Sequence, residues 1–194
     1  MACTRTIGTS LLALIVSISA VEAQWTYKTT QDGQYKLGRN GSNLRAEVGT
    51  MVVAFRVPPE WRVSACTDEP MDCIFSAGSS PNSLSLAFSL YQDSRKLSLS
   101  QRYRRYLEGI HAHADTKVGM RAESPYCLPD GRRITPYRYF SDYWGQRLVV
   151  LIPEGDYTSE FEFTARRSLS ALRASHGTVQ QILDSYTCTH KKPI

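Results

Sequence analysis

Five consecutive apolar residues, Leu148-Val149-Val150-Leu151-Ile152, lie between Arg147 and the turn-forming Pro153-Glu154-Gly155-Asp156. An apolar run without polar alternation is a strand covered on both faces, so the chain must build a sheet with a layer on each side. A second segment alternates instead. Leu84, Leu86, Phe88 and Leu90 interleave with Ser83, Ser85, Ala87 and Ser89, which is the period of a half-buried strand with one small polar face.

Between these two signals the period changes. Leu99, Tyr103, Tyr106, Leu107 and Ile110 recur every three or four residues, the stripe of an amphipathic helix over 98–114, with Ser98 or Ser100 as its cap. Strands are expected at Met51–Val57 (closed by Pro58-Pro59), Trp61–Val63, Cys73–Ser76, Lys117–Glu123, Arg133–Tyr143 and Tyr157–Ala165. A short helical turn over Ser168–Ala174 and a helix on Val179, Ile182, Leu183 and Tyr186 finish the chain, with Thr178 and Gln181 at capping-box spacing. The polar, glycine-punctuated stretch 24–50 is expected to be a loosely ordered lead-in with a short strand at Trp25–Lys28. The order of elements predicts a single α+β domain over 51–194, a mainly antiparallel sheet packed with helices.

The first residues look like an address rather than a structural element. Arg5 precedes an apolar stretch from Leu11 to Ile18, and Val21-Glu22-Ala23 places small residues for cleavage before Gln24, so residues 1–23 are expected to be a signal peptide. Export to the periplasm or outside the cell follows from that reading. No apolar run reaches the roughly 18 residues of a membrane-spanning helix. The 194 residues are 42% hydrophobic and 21% charged, the balance of a globular chain. Their net charge of +5 suits an acidic partner or an anionic surface.

Cysteine usage agrees with export. After loss of Cys3 the chain keeps Cys66, Cys73, Cys127 and Cys188, which in an oxidising compartment make two disulfides in one of three connectivities. The favoured pairing is Cys66 with Cys73 and Cys127 with Cys188, the second stabilising the fold by on the order of 4 kcal/mol. Without a C-x2-C pair, a zinc site is the weaker reading.

Catalytic signatures are sparse. The sequence has no G-x-S-x-G elbow, H-E-x-x-H pair or phosphate-cradling G-x-x-x-x-G-K-[ST] loop, and no cofactor is expected. His111-Ala112-His113-Ala114-Asp115 could hold a metal only if extended, because residues two apart do not share a helix face. His176 and His190 read as single histidines in a loop and a tail. Glu160 and Glu162 are expected on the solvated face of their strand. Arg102, Arg104 and Arg105 mark a basic helix face fit for an acidic partner. Nucleic acid is not expected there, since Tyr103 and Tyr106 point inward rather than offering rings for stacking.

Phe55-Arg56-Val57-Pro58-Pro59-Glu60-Trp61 resembles the F-x-V-P-x-x-W opening of the PsbP and Mog-type αβα sandwich proteins, and Ile182-Leu183-Asp184-Ser185 is similar to their terminal helix. The resemblance spans about Met51 to Tyr186. It implies an αβα sandwich and a class of proteins that mostly bind proteins or assemblies rather than catalyse. The reading is therefore an exported, non-enzymatic domain that binds an envelope protein of acidic character. Its partner surface is expected at Tyr137, Tyr139, Phe140, Tyr143 and Trp144, with those rings filling the core as the competing reading. The alternatives are a small basic hydrolase using His111 or His113, and an immunity or inhibitor protein against an envelope toxin.

Overall fold

The computed structural model describes residues 26–29, 36–65, 75–78, 84–92, 97–113, 119–141, 145–165, 172 and 175–190. Strands β1 (Thr26–Thr29), β2 (Lys36–Asn40), β3 (Asn43–Val48) and β4 (Met51–Arg56) form an antiparallel meander. The β2–β3 and β3–β4 loops are two residues long, Gly41-Ser42 and Gly49-Thr50, each opened by a glycine at φ +55°. Two-residue hairpins favour positive φ there, and glycine adopts it without a Cβ clash.

The expectation of a loosely ordered lead-in over 24–50 is thus corrected. Leu37, Leu44 and Ala46 are buried in the main core. Lys36, Arg45 and Glu47 alternate with them and dilute the apolar signal, while the two glycine loops carry the turn information.

The remaining strands are β5 (Arg62–Ala65), β6 (Phe75–Gly78), β7 (Leu84–Gln92), β8 (Gly119–Ala122), β9 (Tyr126–Cys127), β10 (Arg133–Ile134), β11 (Tyr137–Ser141), β12 (Gly145–Glu154), β13 (Tyr157–Ala165) and β14 (Thr187–His190). A seven-stranded antiparallel sheet has the order β5-β6-β7-β13-β12-β11-β8. β9 and β10 make a small hairpin around Pro129-Asp130-Gly131. β14 pairs with β4 and closes a five-stranded sheet, β1-β2-β3-β4-β14, joining the C-terminal segment to the N-terminal one. His190, read as part of a tail, is an exposed residue of that strand.

Two helices, α1 (Leu99–His113) and α2 (His176–Asp184), complete the described elements. The α+β class with antiparallel sheets is as the element order required. The layer beneath the large sheet, however, contains the second sheet as well as a helix. Leu86, Phe88, Leu148, Val150, Ile152, Phe161 and Phe163 meet Leu44, Met51, Val53 and Phe55 of the small sheet and Val179, Ile182 and Leu183 of α2 in one cluster. At its centre the Phe55 ring lies 4.7 Å from Phe88 and 5.0 Å from Phe161, in tilted and edge geometry.

The opposite face of the large sheet carries α1. Val149 and Leu151 pack there with Tyr103 and Tyr139 in a smaller cluster. The run Leu148–Ile152 is covered on both faces, and alternate residues feed the two clusters. Phe55, Val57 and Trp61 are all buried, and the Trp61 N–H donates to the Pro58 carbonyl, so the F-x-V-P-x-x-W segment turns the chain from the small sheet into the large one.

Candidate functional site

Among the described residues, three places bring polar or exposed side chains together. The first lies beneath α1. Arg102 was expected on the solvated helix face, yet it is only 4% exposed. Its Nε donates to the Leu97 carbonyl at 3.1 Å and its Nη1 to the Thr158 hydroxyl, pinning the start of α1 to β13. The helical register explains the correction: Arg102 lies a turn before Tyr106, on the flank of the buried stripe rather than opposite it. Arg104 and Arg105 are exposed, as expected.

Glu162 also lies under α1 rather than on a solvated face. The Tyr106 hydroxyl donates to its Oε2, and Arg147 Nη1 is 2.7 Å from its Oε1. Both carboxylate oxygens are occupied, so the group acts as an internal clasp. Burial, and then the charge of Glu162, push the Tyr106 phenol well above its ordinary range.

Tyr103 closes a gap in the sheet. β11 reaches β12 only as far as the Tyr137–Val149 pair, and Pro136 cannot extend its donor ladder. The Leu151 N–H donates instead to the Tyr103 hydroxyl at 2.9 Å, and that hydroxyl donates to the Thr135 carbonyl at 3.0 Å.

The second place is a polar knot at the rim of the main core. Arg132 joins Asp130 at 2.7 Å, Glu154 at 2.6 Å and the Pro153 carbonyl at 3.0 Å. The Tyr186 hydroxyl donates to Glu154 at 2.9 Å and lies 3.0 Å from the Ser159 hydroxyl. Burial tends to raise the Asp130 carboxyl. The Arg132 backbone N–H, its guanidinium hydrogen bond and its charge outweigh that and hold it below its ordinary value.

Cys188 borders this knot, and it is a free thiol. The expected Cys127–Cys188 bridge is therefore corrected. Cys188 sits in β14 opposite Val53 and packs half-buried against the main core, whereas Cys127 lies in the β9–β10 hairpin. Cys127 is itself disulfide-bonded. Burial, and then the Glu154 charge, push the Cys188 thiol up to about 11, so it is protonated at neutral pH and a poor nucleophile.

The third place is a corner of the large sheet. Along β11 the side chains alternate. Tyr139 is 2% exposed and Tyr137 is half-buried, its ring 4.3 Å from Tyr103, so both line the α1 cluster rather than a partner surface. That is the competing reading of these rings as core. The two positions that point the other way are Arg138 and Phe140.

Phe140 is 41% exposed, and Met120 on the neighbouring strand is 40% exposed; these are the large apolar side chains left open among the described residues. Phe140 pairs with Gly119, where an added Cβ would fall 1.9 Å from the ring, so glycine lets the ring lie flat on the β8 backbone. The Arg138 guanidinium lies 5.9 Å from the Phe140 ring centroid and is joined to Glu123 at 2.6 Å and Gln146 at 3.2 Å. Aromatic clustering over 137–144 pointed to this strand, but the sequence singled out its buried rings together with Phe140 and missed Met120 entirely.

Cys66, Cys73, Tyr143 and Trp144 lie outside the described residues, as do the side chains of His111 and His113. The backbone of both histidines belongs to α1, so the extended geometry that a metal-binding H-x-H needs is not the one adopted. His176 begins α2 and stacks on the Tyr126 ring at 4.7 Å. Gln180 of that helix donates to the Cys127 carbonyl at 3.0 Å, tying α2 to the β9–β10 hairpin.

No protein-family description and no curated protein matches the sequence. Among solved structures the chain is similar to cyanobacterial PsbP (CyanoP) from Synechocystis sp. PCC 6803. The TM-score is 0.51 at 9% identity, covering 90% of this chain and 99% of that one. The likeness is one of fold, and it agrees with the resemblance carried by the F-x-V-P-x-x-W segment.

Proposed function

We propose that this chain is an exported, non-enzymatic binding domain of PsbP type whose partner is a protein of the cell envelope. The observation that carries the reading is the PsbP-like fold over 90% of the chain, a scaffold whose class mostly binds other proteins or assemblies. The condition of the titratable groups supports it. Glu162, Arg147 and Tyr106 are tied to one another, as are Glu154, Arg132 and Tyr186, and the Cys188 thiol is held protonated. A general base or nucleophile needs a free lone pair near its working pH, and these groups have theirs engaged. The N-terminal sequence pattern supports export, and the net charge of +5 favours an acidic partner.

Affinity capture from envelope extract with the chain beginning at Gln24, read by mass spectrometry, tests the reading. The expected result is one saturable, stoichiometric protein partner. Capture of nothing, together with turnover of an ester, peptide or phosphodiester substrate, would overturn it.

A further inference from the structure

The large sheet ends at β8. Among the described residues β8 has one strand neighbour, β11. The hydrogen bond from the Glu123 N–H to the Pro136 carbonyl fixes which backbone groups face which way. Glu123 and Pro136 are the next residues in the β8–β11 register, so theirs is a hydrogen-bonded position. Parity then makes Arg121–Arg138 and Gly119–Phe140 hydrogen-bonded pairs, and Tyr137–Ala122 and Tyr139–Met120 the alternating pairs. The N–H and C=O groups of Met120 and Ala122 therefore point away from β11, at the open edge. Both residues are exposed.

The side chains around this edge state a preference. Met120 and Phe140 are open on opposite faces of the same corner. Arg121, exposed at the strand's centre, stands directly opposite Arg138, and like charges in that position repel. Arg138 is neutralised by Glu123. A carboxylate on the outer side of β8 would do the same for Arg121.

We propose that β8 is a docking strand that takes an extended segment of the partner protein as an eighth antiparallel strand, with an acidic side chain set against Arg121 and apolar ones beside Met120. The segment bonds through the backbone groups of Met120 and Ala122. A second copy of this chain is the poorer occupant. A two-fold pairing that used the same backbone groups would centre on Arg121 and place it against its own copy. The inference rests on the binding-domain reading and names its surface and the chemistry of its partner.

The test uses the whole chain from Gln24 and two fluorescein-labelled synthetic peptides, one alternating valine with glutamate and one alternating valine with lysine. Anisotropy at physiological salt should show the acidic peptide binding at least about tenfold more tightly, and Arg121→Glu should reverse the order. Hydrogen exchange should slow at the Met120 and Ala122 amides when the acidic peptide is bound. Ala122→Pro removes an outward N–H that β11 does not use, so its thermal melt should match the parent while peptide binding falls at least about tenfold.

Equal affinity for both peptides overturns the proposal, as does affinity unchanged in Arg121→Glu or protection that appears elsewhere. Protection of those two amides that rises with protein concentration alone would assign the edge to self-association and also overturn it. A stoichiometric envelope partner whose affinity ignores Arg121→Glu would refute the docking strand and leave the binding-domain reading standing.

Discussion

Tyr103 shows how one side chain can complete a sheet that its own backbone cannot. The hydroxyl accepts from the Leu151 N–H where β11 has ended and donates to the Thr135 carbonyl. Tyr103→Phe keeps the ring and its packing against Tyr137 but leaves a buried amide without its acceptor. Chemical denaturation should show a loss of about 1–3 kcal/mol, and an unchanged midpoint would refute the role. Cys188 gives a second check at this scale. Its raised folded value means that the thiol favours the folded state below the ordinary cysteine pKa, and that this contribution is lost as pH climbs from about 9 towards about 11. Peptide-resolved iodoacetamide labelling of the unreduced protein should rise steeply across that window. A plateau already reached at neutral pH, or no labelling until reduction, contradicts a protonated free thiol.

At the scale of elements, the helices differ in what holds them. α2 places Val179, Ile182 and Leu183 in the main core, whereas α1 rests on a small cluster flanked by polar clasps, Arg102 to Thr158 and Tyr106 to Glu162. Amides of α1 should therefore exchange through a local opening, at a lower free energy than those of α2 and β12. Coincident exchange of all three would mean that α1 opens only with the whole fold. Both helices were legible from their apolar stripes, as were β7 and β12 from their periods, because those patterns follow from how much of each element is covered. β1 overlaps the short strand expected at Trp25–Lys28, whereas β2 and β3 were obscured by Lys36, Arg45 and Glu47 on their second face, and β14 by its four-residue length. The burial of Arg102, Tyr139 and Glu162 was legible only in part. Periodicity assigns a face, but not what another element lays over it, and here α1 covers a sheet face that reads as polar. The open corner at Met120 and Phe140 gave no sequence signal beyond an aromatic cluster, since exposure at an edge depends on strand order.

At the scale of the molecule, two antiparallel sheets and α2 share one core while α1 caps the far face, an arrangement similar over most of its length to cyanobacterial PsbP. The internal ion pairs and tyrosine hydrogen bonds hold layers together, and among the described residues the outer edge of β8, with Arg121, Met120 and Phe140, is exposed. The most direct check of the proposed binding role is a thermal melt of the chain from Gln24, titrated with a protein recovered by affinity capture from envelope extract, with the mass of that protein followed alongside. A saturable rise in Tm with the partner chemically unaltered is the predicted result; an unmoved Tm with the partner cleaved or modified would contradict it.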